Sequence, residues 1–513
     1  MPPDKTDVAI VGAGPCGGLV AFELASRGAS VVVLEAGPRF AASDLANREA
    51  NGARIIWNEP RVYAGATPIV PKAGVGVGGG TLAWLGVVPR FHPADFRTRS
   101  TEGVGDDWPI AYEDLRPHYE RVERGLGVAG ECGPFAPEPY TLPMPPHRMS
   151  WHAQVLARGA RKLGAHPFAP PIAINSTEYD GRPPCCYCGW CGSGCSSGAK
   201  ATAANTWLAR AEGRGVRVVS EAFARRVAYD PARRRVSGVD YLDAEGRERR
   251  IDARLVVLAA HALETPRLLL LSASPAFPDG LANSSRLVGR RFMSHPTWQV
   301  FGTFEEPVNA FKGMQMGHVM VQDHYRPDPR NAYARGFVLI SYMMTPVTYA
   351  NLSGSFFGAE FKQFLHDYSH TAAWWAHAEG LPDERNTVTL DPDVKDSRGL
   401  PVARLTYAWG DNDLLLAAAA RDRAAEMMRA SGATSVRIGL NYGAHAMGSC
   451  RMGSDPRTSV VDPFGRCHDV PNLFVCDTSV FVTGAGVNPT LTALAIASRS
   501  AEHIAAAAAR GEL

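Results

Sequence analysis

A chain of 513 residues is too long for one simple core and is read as two intimately connected domains. Its composition, 45% hydrophobic and 20% charged, is that of an ordinary globular protein, and a formal net charge of +2 sets up no global field toward nucleic acid or an anionic membrane. No apolar run reaches transmembrane length, and MPPDKTDVAIV lacks a charged n-region followed by an apolar h-region, so neither an anchor nor an export leader is expected and a cytoplasmic location follows.

Residues Asp7 to Gly37 read DVAIVGAGPCGGLVAFELASRGASVVVLEAG. Val8 to Val11 predict a buried parallel strand, Gly17 to Ser26 a helix, and Val31 to Leu34 a second strand ending in Glu35. The turn between them carries G-x-G-x-x-G at Gly12, Gly14 and Gly17. Gly12 permits the tight turn, Gly14 lets backbone N–H groups approach a pyrophosphate at the positive end of the helix, and Gly17 lets helix and strand pack closely. Glu35 is placed to accept hydrogen bonds from an adenosine ribose. A bare glycine triplet is weak, but strand before, helix after and acid at the right distance point to a dinucleotide-binding α/β fold, doubly wound and Rossmann-like.

Residues 38 to 92 are loop-rich, centred on AGVGVGGGTLAW at Ala73 to Trp84, too glycine-dense for a helix or a central strand. The run reads either as a surface loop or as backbone laid against a flat cofactor, with Gly79, Gly80, Thr81 and Trp84 as its candidate contacts. DWPIAYEDLRPHYERVERGLGV starts with turn signals and turns helical. Val216 to Val219, the hairpin-like VSGVDYLDAEGRERRIDA and Leu255 to Ala260 form a second set of strands, and ETPRLLLLS begins the next helix. From Thr297 to Ala408 the stretches TWQVFGTF, FVLISYMM, TVTL and VARLTYAW predict antiparallel strands with one face packed. Between them lies the aromatic and histidine-rich FKQFLHDYSHTAAWWAHAEG, and Asp413 to Ser431 is an amphipathic helix stopped at Gly432. Segments 1–92, 185–296 and 440–513 are assigned to a discontinuous cofactor domain. Segments 93–184 and 297–439 are assigned to an α+β substrate domain built on the antiparallel sheet.

Five of the ten cysteines crowd into CCYCGWCGSGC, from Cys185 to Cys195. Without an export signal such a cluster suits a metal or cofactor better than a disulfide knot. Cys16, Cys132, Cys450, Cys467 and Cys476 stand apart and read as small buried hydrophobes.

Near the C-terminus His445 stands in GAHAMGSCRMG, followed by VCDTSVFVTGAGVNPTLTALAIASRSAEHI. Taken with GAGPCGG, GGGTLAW and AHALETPRLLLLS, these phrases resemble the glucose–methanol–choline (GMC) oxidoreductase family from end to end. The nearest resemblance is to its bacterial branch of flavoprotein subunits of gluconate, fructose and glucose dehydrogenases, and DWPIAYEDLRPHYERVE, GLPDERNTVTLDP and LVGRRFMSHP are further phrases in that style. The resemblance implies FAD, a substrate domain on an antiparallel sheet, and oxidation of an alcohol carbon. It places the catalytic base at His445, in H-x-x-G, and its partner at Asn488, where relatives carry His or Asn. A neutral imidazole takes the hydroxyl proton while hydride leaves the same carbon for flavin N5; Asn488 holds the hydroxyl but exchanges no proton. Asn488 followed by Pro489 also reads as a helix start, with Asn as N-cap and Pro at the first helical position, and Asn488, Pro489 and Thr490 are counted among the flavin contacts. Asp477 falls where relatives contact the ribityl–phosphate arm, a turn-forming Asp being the alternative.

Departures are informative. Ala83 precedes Trp84 where relatives often carry a histidine, so FAD is expected to bind without a covalent link, His92 being the nearby substitute. His261 occupies a position that is commonly Gly, and Val482 one that is commonly Pro. For the cysteines three readings stay open: a zinc knuckle, of which Cys188 and Cys191 supply a single C-x-x-C; unligated thiols; or an iron–sulfur cluster. The three-iron [3Fe-4S] cluster of the hexose dehydrogenase branch uses C-x5-C-x3-C, met by Cys185, Cys191 and Cys195, whereas long-chain alcohol oxidases carry a Cys/Gly stretch here without implying a cluster. The resemblance further implies a sugar, glycoside or polyol substrate, a small partner subunit and a cytochrome or quinone acceptor, with export beside that subunit as the alternative location. An oxygen-using oxidase and a non-catalytic flavin subunit are the competing functions. Trp298, Phe301, Trp374 and Trp375 read either as sugar-stacking platforms or as core.

Overall fold

The apolar run ahead of Gly12 forms the strand Lys5–Val11, flanked in parallel by Val31–Leu34 and Glu248–Leu258. Strands covered on both faces are continuously apolar rather than alternating, and Ala9, Ile10 and Val33 are fully buried. In this computed structural model, which describes residues 5–45, 47–67, 69–352 and 357–513, helix Pro15–Ala25 follows the first strand and packs on the helix Thr490–Ala509. Residues 1–4, on which the expectation about a leader partly rests, lie outside that description.

Across this first sheet the order is Arg217–Val219, Val31–Leu34, Lys5–Val11, Glu248–Leu258, then Arg235–Leu242 and Phe223–Asp230. The hairpin and the LVVLAA run, read separately in the sequence, share one strand. Glu248–Leu258 pairs antiparallel with Arg235–Leu242 through its first half and parallel with Leu473–Val475 through its last residues. The strands therefore bring Gly12, Glu35, Ala259 and Asp477 to one edge, where an open α/β sheet takes its ligand.

The second sheet runs Val62–Ala64, Pro401–Thr406, Thr387–Lys395, Arg290–Thr303, Thr371–Ala378, Phe337–Tyr342 and Met316–Val321, with Ser435–Ser449 also paired to Arg290–Thr303. One face, carrying Val300, Trp374 and Ala376, forms its own core with helices Trp151–Lys162 and Asp411–Ala430. The latter helix starts two residues before Asp413, whose carboxylate instead accepts the Gly410 N–H at 3.1 Å. The opposite face joins the main core shared with the first sheet. Trp374 and Phe301 are thus core residues, one on each face. FKQFLHDYSHTAAWWAHAEG resolves into helix Gly358–His366, a turn at Asp367–His370 and strand Thr371–Ala378.

Strands cross the expected domain boundaries. Val62–Ala64 lies within segment 1–92 yet pairs with Pro401–Thr406, and the cuts at 296 and 439 fall inside Arg290–Thr303 and Ser435–Ser449. Among the described residues no helix is long and apolar enough to cross a membrane.

Candidate active site

Two glycine turns meet at the edge of the first sheet. Gly12 sits at φ +105°, and a Cβ there would lie 2.3 Å from the Ala259 carbonyl oxygen; a Cβ on Gly17 would lie 2.0 Å from the carbonyl oxygen of Gly12. Gly14 differs, since a Cβ there would find nothing nearer than the Gly79 Cα at 3.9 Å. The Ala73–Trp84 loop docks onto this turn through the Gly78 N–H, which donates to the Ala13 carbonyl at 2.9 Å. Between them opens a cleft walled by Gly12, Gly14, Glu35, Gly79, Asp477 and Thr490, with Gly80 beside them. Bare backbone, helix N-termini and apolar walls fit a dinucleotide.

Glu35 accepts the N–H groups of Ala13 (3.0 Å), Gly37 (2.9 Å) and Gly76 (3.0 Å), so it anchors both glycine turns and keeps lone-pair capacity for a ligand hydroxyl. Burial pushes its pKa up against those three N–H groups. Thr81 and Trp84 lie off the cleft wall: the Thr81 hydroxyl donates to Gly78 and accepts from the Ala203 N–H, and the Trp84 indole donates to Ala201 at 2.9 Å, bracing the loop from behind. Asp477 walls the cleft and accepts the N–H of Ser479 (2.8 Å) and of His261 (3.1 Å) and the hydroxyl of Thr265 (2.6 Å), as a turn-forming Asp does. His261 sits at φ +84°, a region that favours glycine, and the bond to Asp477 holds it there. Sequence reasoning missed Arg61, which walls the cleft, pairs with Glu264 at 2.9 Å and lies over Trp57. No local motif marks it. His92 is buried edge-on against Tyr325 and does not wall the cleft.

The second site is built from side chains on three neighbouring strands. Ala444 is the partner of His295 across the Ser435–Ser449 and Arg290–Thr303 strands, so regular pleating would turn His445 to the opposite face. A register shift between Ala444 and Met447 intervenes, and His445 adopts φ +59°. This bulge aims its ring back at His295. His445 Nδ1 lies 3.0 Å from His295 Nδ1, and that same atom lies 3.0 Å from Nε2 of His377 on the Thr371–Ala378 strand. At its other end, His445 Nε2 lies 3.3 Å from the Asn488 amide nitrogen.

Asn488 does not cap the following helix as the sequence suggests. The helix begins at Thr490 with Pro489 in the cap position, which leaves the Asn488 side chain to face His445. Burial holds all three imidazoles below the usual histidine range, His295 at about 4 and His377 and His445 well down, so each is neutral near pH 7. His445, Asn488, Tyr442 and Trp375 are only half-buried. The Trp375 ring meets Tyr342 and Tyr442 edge-on, with centroids 4.6 and 5.4 Å away. On the same face, both amide atoms of fully buried Gln299, the indole nitrogen of Trp375 and Nδ1 of His377 have no protein partner, and neither does Oδ1 of Asn488. His295 and His377 were not singled out in the sequence, although SHP and AHAE display them.

The cysteine loop forms a third region. All ten thiols are unpaired, with Cys191 buried, Cys185 and Cys195 half-buried, and Cys186 and Cys188 exposed. Cys185 Sγ accepts the Tyr187 N–H and Cys195 Sγ the Lys200 N–H, each at 3.4 Å. Left-handed backbone at Gly189, Gly194 and Gly198 lets the loop curl around them. Fully buried Lys200 donates from Nζ to the carbonyls of Leu82 and Trp84 (2.9 Å each) and Cys191 (2.5 Å), tying this loop to the flavin-side loop. Burial pushes the Cys185 thiol up to about 12 and pulls Lys200 down to about 8. Among the described residues the one group of three that could close on a metal ion is His295, His377 and His445, whose ligand atoms lie within 4.8 Å of one another.

Residues 28–297 and 382–497 match GMC oxidoreductase family models, and residues 5–43 match an FAD binding domain. The chain is 32% identical to the fructose dehydrogenase large subunit of Gluconobacter japonicus, over 98% of both chains. It is also 32% identical to 2-methyl-1,2-propanediol dehydrogenase of Mycolicibacterium austroafricanum, over 98% of this chain and 95% of the other. Pyridoxine 4-oxidase from Mesorbium loti shares the fold at TM-score 0.69 and 20% identity, covering 97% of this chain and 99% of that one. A dinucleotide cleft, a neutral histidine paired with an amide, and matches running the length of the chain lead to one conclusion: the protein belongs to the GMC oxidoreductases, FAD-dependent enzymes that act on alcohols and sugars.

Proposed function

We propose that the protein is a dehydrogenase of polyhydroxy alcohols (a sugar, glycoside or polyol) that holds FAD without a covalent link and passes its electrons onward through an iron–sulfur cluster. The observation that carries the alcohol chemistry is the His445–Asn488 pair, a neutral imidazole and an amide 3.3 Å apart, both half-buried. His445 accepts the hydroxyl proton at Nε2 as the O–H bond breaks, and the Asn488 amide orients the hydroxyl oxygen. FAD, held by the glycine turns, Glu35 and Asp477, supplies the two-electron acceptor for the hydrogen lost from carbon. Burial around the pair keeps His445 unprotonated and ready.

The unmet polar atoms of Gln299, Trp375 and Asn488 support a substrate with several hydroxyls. A long-chain alcohol brings no hydroxyl groups to such atoms beyond its first, whereas a sugar or polyol brings several. Trp375, half-buried between two tyrosines, is the stacking candidate among the four aromatics. Cys185, Cys191 and Cys195 would hold the cluster, and the N–H donors at two of these sulfurs support that reading. A small subunit with a cytochrome or quinone acceptor would receive the electrons. Ten unpaired thiols suit a reducing compartment, and we assign the protein to the cytoplasm, with export beside a partner subunit the alternative.

The test is anaerobic purification, metal and sulfide analysis, and spectra before and after adding a sugar, polyol and long-chain alcohol panel. The proposal expects flavin bleaching by a polyhydroxy compound, about three irons per chain, and yellow colour released by acid precipitation. Iron-free protein that turns over with oxygen would replace the cluster with the oxidase reading, and colour retained in the acid pellet would contradict a non-covalent flavin.

A further inference from the structure

We propose that His295 is a positioning residue that fixes the tautomer of His445, accepting its Nδ1–H and so leaving Nε2 bare toward the substrate hydroxyl. The inference rests on the reading of His445 as the base. His295 Nε2 lies 3.3 Å from the Gly484 carbonyl oxygen. A carbonyl only accepts, so that nitrogen carries the proton, and in a neutral ring Nδ1 is then a lone pair. Facing it at 3.0 Å is His445 Nδ1. Two lone pairs at that distance repel, so His445 carries its proton on Nδ1. Its Nε2 is then the acceptor, at the end where the Asn488 amide nitrogen stands 3.3 Å away. Partners at both ends of the ring select the same tautomer.

The proton step balances on these atoms. The substrate O–H bond breaks, an N–H bond forms at His445 Nε2, and the oxygen keeps the bonding pair. His445 becomes an imidazolium, and its Nδ1–H bond to His295 becomes charge-assisted and stronger as the charge develops. Among the described residues the charge interactions on His445 come from His295, and those on His377 from His295 and His445, none of them a carboxylate. An uncharged acceptor selects the tautomer without a fixed negative charge that would raise the basicity of His445. His377 Nε2 stands 3.0 Å from the same His295 nitrogen and competes for its lone pair, while its own Nδ1 has no partner. A cation closing on all three nitrogens is the rival use of this cluster.

Nitrogen NMR of histidine-labelled holoprotein reads the tautomer directly, with the His445 signals identified by their loss in His445→Ala. The inference expects a protonated Nδ1 and a bare Nε2 in wild type and in His295→Asn, whose amide oxygen replaces the lost lone pair. In His295→Phe the Nε2–H form should appear, with kcat down by about a hundredfold or more and KM within about threefold, and His295→Asn should recover most of the rate. A wild-type His445 protonated on Nε2, stoichiometric bound metal released by chelator with a gain in rate, or a His295→Phe protein with FAD and near-normal kcat would each overturn it. An unfolded His295→Phe, recognised by lost FAD, leaves the wild-type tautomer and His295→Asn to decide. A fully active His445→Ala would instead overturn the base assignment while leaving the tautomer measurement standing on its own.

Discussion

The nucleotide cleft is organised by glycine turns, the proposed alcohol site by side chains. In the cleft, Gly12 and Gly17 are glycines because a Cβ at either would strike a carbonyl oxygen, and Gly14 is one because a ligand needs the space. In the alcohol site, residues 295, 377 and 445 meet only because three strands pair in a particular register and one of them bulges. The difference predicts how each region fails. A glycine turn breaks the fold when it is altered, whereas a side-chain constellation loses chemistry and keeps the fold.

The largest expected effect tests the first half. Gly17→Val places a Cβ 2.0 Å from the Gly12 carbonyl, which neither helix nor strand can yield. Overpacking here should remove soluble, yellow protein altogether. A soluble variant with full flavin absorbance would show that the turn is softer than described. In the second site, Asn488→Ala removes one hydrogen bond to a neutral group and should slow flavin bleaching by about tenfold with FAD still bound. A loss as large as that of the base itself would mean that Asn488 does more than orient.

The smallest effect concerns pH. His377 is buried and neutral, its pKa held below the 6.5 of an exposed histidine. The unfolded chain therefore binds a proton that the native state refuses as pH falls below about 6.5, so this group withdraws stability on acidification. Glu379 and Asp413, raised by burial to about 7 and about 6, act in the opposite sense, since stability they contribute in acid is lost as pH rises. A difference measurement separates them. Urea midpoints of His377→Leu should rise relative to wild type between pH 7 and pH 5, and a pH-independent difference would contradict a buried neutral His377.

The same contrast explains what was legible before the structure. The triplet at Gly12, Gly14 and Gly17 lies within six residues, and its strand–turn–helix context is local, so sequence alone assigns each glycine a task. The antiparallel strands were read as packed on one face, whereas Met316–Val321 and Phe337–Tyr342 are buried throughout because both faces of the sheet carry a core; His445 and Asn488 were singled out by a family phrase. His295 and His377 were not, because nothing within several residues of either states which strand it will neighbour. Thr81 and Trp84 sit in the right loop but turn their polar atoms away from the cleft, into bonds with Gly78, Ala203 and Ala201. Asn488 followed by Pro489 matched a capping rule, yet its amide faces a histidine 43 residues back in the chain. That Val62–Ala64 pairs with Pro401–Thr406 was not legible, because a three-residue strand carries too little pattern to declare a partner.

The central claim is that His445 accepts the hydroxyl proton, and anaerobic stopped-flow bleaching of His445→Ala by a substrate that bleaches the wild type tests it most directly. The account predicts a folded protein with a full complement of FAD and a bleaching rate lower by about a hundredfold or more. Bleaching at near wild-type rate in that variant would contradict it.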